Sequence, residues 1–383
     1  MNRLVIIGNG FDLAHGLKTS YKDFIRWYLD DFFNKLISTN EEISHHKDKL
    51  LEIQFLSIKS YKFIYPNLTS YAPIKTEYVN FKDPYEFYKK IKELFGSNDD
   101  YNIFEESAFL KTILTNIETK GWTDIESDYY ELLKKNSDDN KTCKELNEQI
   151  DFLKNKLAEY LKAQKTEKTD VKIVYNIVNN MNGDTEVSQS SRKIIDKIMA
   201  SKPLQYRESD FLKIEDIMIL DFNYTSTTKE YFDPQIVNKI HGSLEKPKYM
   251  IFGYGDEMDK DFQTIEDKNN NELLENCKSV KYLETSHYRD LLEFIEGRLF
   301  QVYIMGHSCG NSDRTLLNTI FEHENCASIK PFYHKWGEGE NDDNYSDITR
   351  NIYRNFKNKT LFRDRVVNKE ICEPLPQVRK VNN

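Results

Sequence analysis

Cysteine is scarce and scattered. The 383 residues include five, Cys143, Cys277, Cys309, Cys326 and Cys372, and none stands in a C-x-x-C pair. That excludes a disulfide framework and a zinc ribbon, and unpaired thiols fit a reducing, cytoplasmic setting. No apolar stretch approaches the roughly 18 residues of a membrane span. The N-terminal apolar run is too short for the core of a signal peptide and flows straight into a glycine turn. Basic residues do not dominate: 54 Lys and Arg stand against 63 Asp and Glu, for a net charge of −9. They are dispersed rather than blocked, so no basic tail or arm marks a nucleic-acid binder. Glycine (14) and proline (9) are also few.

What is present is aromatic. The hydrophobic share is 39% and the mean hydropathy −0.70, yet there are 24 tyrosines and 23 phenylalanines. Disordered chains have few aromatics, so this composition predicts a folded protein with a ring-rich core. The length suggests about two domains.

Strand-like apolar runs fall at the start and in the last third: Leu4–Ile7, Ile217–Leu220, Ile236–Ile240, Tyr249–Phe252, Val302–Met305 and Ile329–Tyr333. Helical patterns such as Leu291–Leu299 and Arg314–His323 alternate with them. Apolar runs alternating with helices predict an α/β fold with a doubly wound, mostly parallel sheet. Between the two ends lies a glycine-poor segment rich in Lys, Glu, Tyr and Asn, with helical patterns at Tyr21–Leu36, Lys111–Thr119, Asp124–Lys135 and Cys143–Gln164. Within the last, Leu146, Ile150, Leu153, Leu157 and Tyr160 recur every three or four residues, which makes one apolar stripe. The expected organisation is a nucleotide-binding α/β domain from 1–24 and 213–340, a large helical insertion at 25–212 with a loop near Asn182–Ser191, and a C-terminal helix and tail at 341–383.

The first strand ends in Gly8-Asn9-Gly10-Phe11-Asp12. Glycines there let the backbone turn tightly and approach a ligand. Free amides at a helix start favour an anion. Ser20-x-x-Asp23 resembles a capping box for the helix that follows. The dinucleotide fingerprint G-x-G-x-x-G lacks its third glycine, since Leu13 stands there. A tight turn with no ligand therefore remains an equal reading.

Three more polar groups follow strand-like runs: Asp221-Phe222-Asn223-Tyr224-Thr225, His241-Gly242-Ser243, and Gly306-His307-Ser308-Cys309-Gly310 with Ser312-Asp313 beyond it. In a parallel sheet these loops emerge at one edge, where ligands bind. Thr227-x-x-Glu230 is placed to cap a helix. Each residue also has a purely structural reading. Asn223 closes a turn, His241 and His307 satisfy strand-end backbone, Ser308 satisfies its own loop, and Asp313 caps a helix.

G-N-G-F-D-L-A-H-G-L-x-T-S-Y, F-N-Y-T, I-H-G-S-L, I-F-G-Y-G-D-E and I-M-G-H-S-C-G-N-S-D together resemble the bacteriophage abortive infection AbiH family, with Trp122-x-Asp124-Ile125-Glu126 as a looser signature. The same order resembles the wider sirtuin-like NAD-binding fold, a Rossmann-type arrangement. That resemblance implies NAD as substrate or ligand. It implies His241 and Asn223 as catalytic residues, and Gly8, Asn9, Gly10, Asp12, Thr225, Gly306, Ser308 and Asp313 as cofactor-binding. The zinc-binding cysteine pairs of sirtuin deacylases are absent, so the implied reaction is hydrolysis of NAD to nicotinamide and ADP-ribose, with no metal. The implied partners are a nucleotide ligand and a phage-derived trigger. Membrane and nucleic acid are not expected, and a homo-oligomer is compatible with the sequence.

Two other classes stay open. One is a nucleotide- or phage-sensing defence module without catalysis. The other is a serine hydrolase built on the G-x-S-x-G of Gly306–Gly310, with Asp313, His323 and His334 downstream. A metal site from His307, His323 and His334 has no recognisable spacing.

Overall fold

The computed structural model describes residues 1–38, 43–56, 83–95, 102–121, 124–164, 171–180, 186–200, 212–339 and 342–377. Its strands are β1 (Asn2–Ile7), β2 (Ile43–Lys47), β3 (Leu51–Leu56), β4 (Ile103–Glu106), β5 (Ile217–Asp221), β6 (Val237–Asn238), β7 (Phe300–Met305) and β8 (Cys326–Phe332). Two compact units divide the chain: Met1–Thr19 with Leu161–Asn383, and Ser20–Tyr160.

The first unit is α/β. Its sheet runs in the order β6-β5-β1-β7-β8, and every pair is parallel. Each residue of β1, β7 and β8 is buried. The two-residue alternation of a strand sends Leu4 and Ile6 into one core and Val5 and Ile7 into another. On the first face the sheet meets Leu291 and Ile295 of the helix His287–Gly297, Leu316, Leu317 and Ile320 of the helix Arg314–Phe321, and Ile348 and Ile352 of the helix Tyr345–Arg354. On the other it meets Phe11 of the short helix Asn9–Ala14, and Val174 and Val178 of the helix Val171–Val178. A sheet covered on both faces explains why its strands read as continuous apolar runs.

Two expected strands are not regular ones. Only Val237 and Asn238 of Ile236–Ile240 pair with β5, because Asp233 and Pro234 set a tight 3₁₀ turn up to Ile236. Tyr249–Phe252 follows another proline-started turn, Pro247–Tyr249, and touches the turn before it through one bond, from Ile251 N–H to the His241 carbonyl (2.9 Å). Thr227–Glu230 is itself a short 3₁₀ turn, so Thr227 caps no following helix.

The unit boundary also differs from the expected one. The helices Val171–Val178 and Gln189–Ala200 lie in the first unit, since Val174, Val178 and Ile195 are buried in its cores. Gln189–Ser191 of the expected loop are helical, while its residues 182–185 and Trp122 lie outside the described residues. The described part of the C-terminal segment, 342–377, packs within the first unit. Beyond Tyr345–Arg354 it forms the helix Lys359–Arg365, and Leu375 donates its N–H to the Tyr333 carbonyl (2.8 Å).

The second unit holds helices at Tyr21–Ser38, Pro84–Phe95, Ala108–Lys120 and Ile125–Lys135, and most of Asn140–Lys162. Ser20 caps the first of these, accepting from Asp23 N–H (3.1 Å) while its hydroxyl donates to the Asp23 carboxylate (2.6 Å). The expected apolar stripe, Leu146, Ile150, Leu153, Leu157 and Tyr160, is buried. The unit is not purely helical. β2, β3 and β4 make an antiparallel sheet, and Leu51, Ile53 and Phe55 alternate with Glu52 and Gln54, a period-two pattern that the helical reading passed over. Aromatic rings fill its core: Phe33 meets Phe87 edge-on at 4.8 Å. Among the described residues no helix is long and apolar enough to cross a membrane.

The backbones are in close contact where β1 and β7 end. Gly10 donates its N–H to the Gly306 carbonyl (2.7 Å), and a Cβ on Gly10 would come 2.7 Å from that oxygen. Gly306 has φ +77°, and its Cβ would overlap Phe11 N. Backbone strain and overlap add, so Gly306→Ala is expected to lower unfolding free energy by about 2–5 kcal/mol in urea titration. Gly297→Ala, where a Cβ meets nothing within 4 Å, is expected to be neutral. A Gly306→Ala protein as stable as the parent would show that the seam relaxes.

Candidate functional site

The chain order along the sheet reverses between β1 and β7, because β5 and β6 lie to one side of β1 and β7 and β8 to the other. In open parallel sheets ligands bind at the carboxyl ends of the strands beside such a reversal. The helix after β1 starts at once, with Gly8 as its N-cap, and is six residues long. The amides of Gly8 and Gly10 are already bonded, to the carbonyls of Met305 (3.3 Å) and Gly306 (2.7 Å). A Cβ at Gly8 would come 2.6 Å from His307 Cα. These glycines therefore let the β1 and β7 loops touch. Asn9 stays exposed and accepts a hydrogen bond from the Thr19 hydroxyl (2.5 Å).

The loop after β5 is tied from below. Asp221 accepts from Asn223 N–H (2.8 Å), from the Thr228 hydroxyl (2.7 Å) and from the Lys239 ammonium (2.5 Å). Lys239 also donates to the carbonyls of Asn223 (3.1 Å) and Thr225. Asn223 Nδ2 donates to the Gly8 carbonyl (3.0 Å), and the Thr225 hydroxyl donates to Asp12 (2.7 Å). The second Asp12 oxygen is buried without a partner among the described residues. Burial pushes the Asp12 carboxyl up to about 6, with the Thr225 and Thr227 hydroxyls opposing it.

Asp313 is the centre of the site. Its side chain makes no helix cap. It accepts from the Lys278 ammonium (2.7 Å), sits 3.2 Å from His241 Nε2, and has its other oxygen 3.6 Å from His307 Nε2. His241 Nε2 is also 3.2 Å from the Tyr282 hydroxyl, and the Phe222 ring lies against both imidazoles, at 4.8 Å and 4.3 Å. Cys309 N–H donates to His307 Nδ1 (3.0 Å), which leaves Nε2 to carry the proton toward Asp313. Burial pushes the Asp313 carboxyl up, but Lys278 and His241 more than offset it and hold it well below the usual carboxylate range. Burial, then Lys278, lower His241 to about 4, against the pull of Asp313. The result is a buried Asp–Lys ion pair beside a neutral His241. Burial raises the Cys309 thiol far out of the reactive range.

Of the residues expected at the site, Gly8, Gly10, Gly306, Asn223, Thr225 and Asp12 form one connected set, and His241 and Asp313 meet in a second. Phe222, next to Asn223 in the chain, contacts the second set. Ser308 is exposed and makes no hydrogen bond with a histidine among the described residues. His323 Nδ1 accepts from Asn325 N–H (3.2 Å), and His334 Nδ1 meets Gln377 (2.6 Å). No Ser–His–Asp relay is assembled around Ser308. No group of three metal-ligand side chains occurs among the described residues.

Lys278, Lys239 and Tyr282 carry no sequence signal of their own, and Asp221 stands out only as the first residue of the polar group after Ile217–Leu220. Lys278 reaches Asp313 through the I-F-G-Y-G-D-E segment: Gly253 lies against the Asn276 carbonyl, where a Cβ would not fit. Tyr254 N–H then bonds to the Asn276 carbonyl (3.1 Å), and Lys278 N–H to the Tyr254 carbonyl (2.7 Å).

A family model described as Bacteriophage abortive infection AbiH matches residues 4–334, which span every residue around Asp313. No curated protein and no solved structure matches the chain.

Asp12 generates a pH prediction. Its folded-state pKa, about 6, lies above the ordinary 3.8, so the protonated carboxyl favours the fold at low pH and that contribution is lost as pH rises through about 4 to 6. Asp12→Asn keeps an acceptor for Thr225. It is expected to raise stability at pH 8 by up to about 3 kcal/mol and to change nothing at pH 4. Urea titrations at both pH values check this, and parallel profiles for the two proteins would remove the burial cost assigned to Asp12.

Proposed function

The chain belongs to the bacteriophage abortive infection AbiH family, and from that premise we propose that it protects cells by hydrolysing NAD to nicotinamide and ADP-ribose. Family membership suggests the role in phage abortive infection; the chemistry is our reading of the site. The observation that carries it is the meeting, beside the reversal in strand order, of the Asn223 loop with an imidazole buttressed by a buried carboxylate. We read the sheet as Rossmann-like and the ligand as a dinucleotide across that edge, near Gly8, Asn9, Gly10, Asp12, Thr225, Gly306 and Ser308.

In this reaction the bond between the nicotinamide nitrogen and ribose C1′ breaks, and nicotinamide leaves as a neutral base with the electron pair. Water oxygen bonds to C1′, and its proton goes to His241. Among the described residues His241 Nδ1 has no hydrogen-bond partner, so it is the nitrogen that takes the proton. Nε2–H then remains on Asp313, which stabilises the imidazolium as it forms. Asn223 uses Nδ2 on Gly8, and its Oδ1 has no partner among the described residues, which suits it to orient the water. The leaving group is already cationic, so no strong acid is required.

The sensing alternative draws support from two features: the glycine amides are already bonded within the protein, and burial makes His241 a weaker base than a free imidazole. Turnover separates the readings. Purified protein is expected to consume NAD. His241→Ala and His241→Gln are each expected to lower kcat by ~10²–10⁴-fold, and Asn223→Ala to abolish both NAD loss and phage protection, with the fold intact by circular dichroism. Full protection by His241→Ala, or constant NAD in protected cells, would replace NAD cleavage with ligand sensing.

A further inference from the structure

We infer that Asn355, assisted by Asn351, is a positioning residue of the site, held on a C-terminal segment that lies outside the 4–334 family match. Asn351 sits on the helix Tyr345–Arg354 and Asn355 directly follows it. Asn355 is fully buried, and its Nδ2 donates to the Cys309 carbonyl (2.8 Å) and the Asn351 carbonyl (2.8 Å). Asn351 Nδ2 donates to the Ser308 carbonyl (2.8 Å). Two consecutive carbonyls of the β7 loop are thus received by two asparagines one helical turn apart.

The residue so held is unusual. Cys309 has φ +53°, in the left-handed region that side-chain-bearing residues avoid. That conformation points its N–H at His307 Nδ1 (3.0 Å), and the opposite ring nitrogen faces Asp313. The helix end is anchored in turn to the helix that begins beside Asp313: Asn318 Nδ2 donates to the Asn355 carbonyl (2.8 Å), and Arg314 Nε to the Arg354 carbonyl (3.0 Å). The clamp acts on the site through the His307 tautomer. Without it, Cys309 relaxes to an ordinary backbone conformation, its N–H leaves Nδ1, and the Nε2 proton is no longer fixed on Asp313.

The inference rests on reading His307 as part of the site, so its test includes a readout that needs no turnover. In the full chain, ¹⁵N NMR of His307 is expected to show the Nε2–H tautomer, and the Cys309 amide to be protected from hydrogen exchange. Asn355→Asp keeps the shape but replaces the donor. It is expected to speed Cys309 exchange by at least ~10-fold, mix the His307 tautomers and lower kcat for NAD while KM changes little. Asn351→Ala, at a half-buried position, is expected to do the same to a smaller degree, and it decides the matter if Asn355→Asp fails to fold. Unchanged Cys309 protection and an unchanged His307 tautomer in the folded variants would overturn the clamp. If the parent protein cleaves no NAD, the NMR and exchange results still decide the clamp, and only the proposed reaction falls.

Discussion

The buried pair of Asp313 and Lys278 is the interaction on which the site depends. Removing one partner of such a pair leaves an uncompensated charge and typically costs about 3–5 kcal/mol, so neither side chain is dispensable to the fold around it. The pair joins three separated stretches of chain: the end of the β7 loop, the segment after Asn276, and, through His241, the turn after β6. Burial first, and then the Lys278 charge, keep His241 neutral, and it donates from Nε2 to the carboxylate. A lone Asp313 would instead draw a proton onto an imidazole. Lys278 therefore adds to burial in keeping His241 neutral, and it fixes the geometry of the site.

A second constraint is the glycine seam between the β1 and β7 loops. The sequence suggests that Gly8 and Gly10 open backbone amides to a ligand, whereas in the fold those amides bond to Met305 and Gly306. The consequence is rigidity. Two loops in backbone contact fix His307 against Gly8, while Asn223 reaches the Gly8 carbonyl from the other side. Any ligand meets a surface already braced by three loops. The β5 loop is braced independently, because Lys239 gathers the Asp221 carboxylate and the loop carbonyls of Asn223 and Thr225 onto one ammonium. Preorganisation of this kind is what binding and catalysis both require.

Much of this was legible in the chain itself. Leu4–Ile7, Ile217–Leu220 and Val302–Met305 read as buried parallel strands because both faces of the sheet are covered, which leaves no polar alternation to confuse them. That Asn223 and His241 stand in loops after strand-like runs followed from strand polarity, whereas the roles expected of them came from the family resemblance. Four helices of the second unit followed from their sequence patterns, while Pro84–Phe95 was not foreseen, and the capping role of Ser20 followed from its distance to Asp23. What the sequence could not determine were partners. Lys278 is one of 54 basic residues and reaches Asp313 only because Gly253 admits a neighbouring backbone. Asp313 has the sequence position of a helix cap, and the tertiary fold turned it instead onto a lysine and a histidine. Asn351 and Asn355 lie some forty residues beyond the loop they hold. Local order and strand direction are written in short-range spacing, which one chain displays openly. Charge pairing, tautomer and loop support are contacts between distant residues, and they exist only once close packing has brought those residues together.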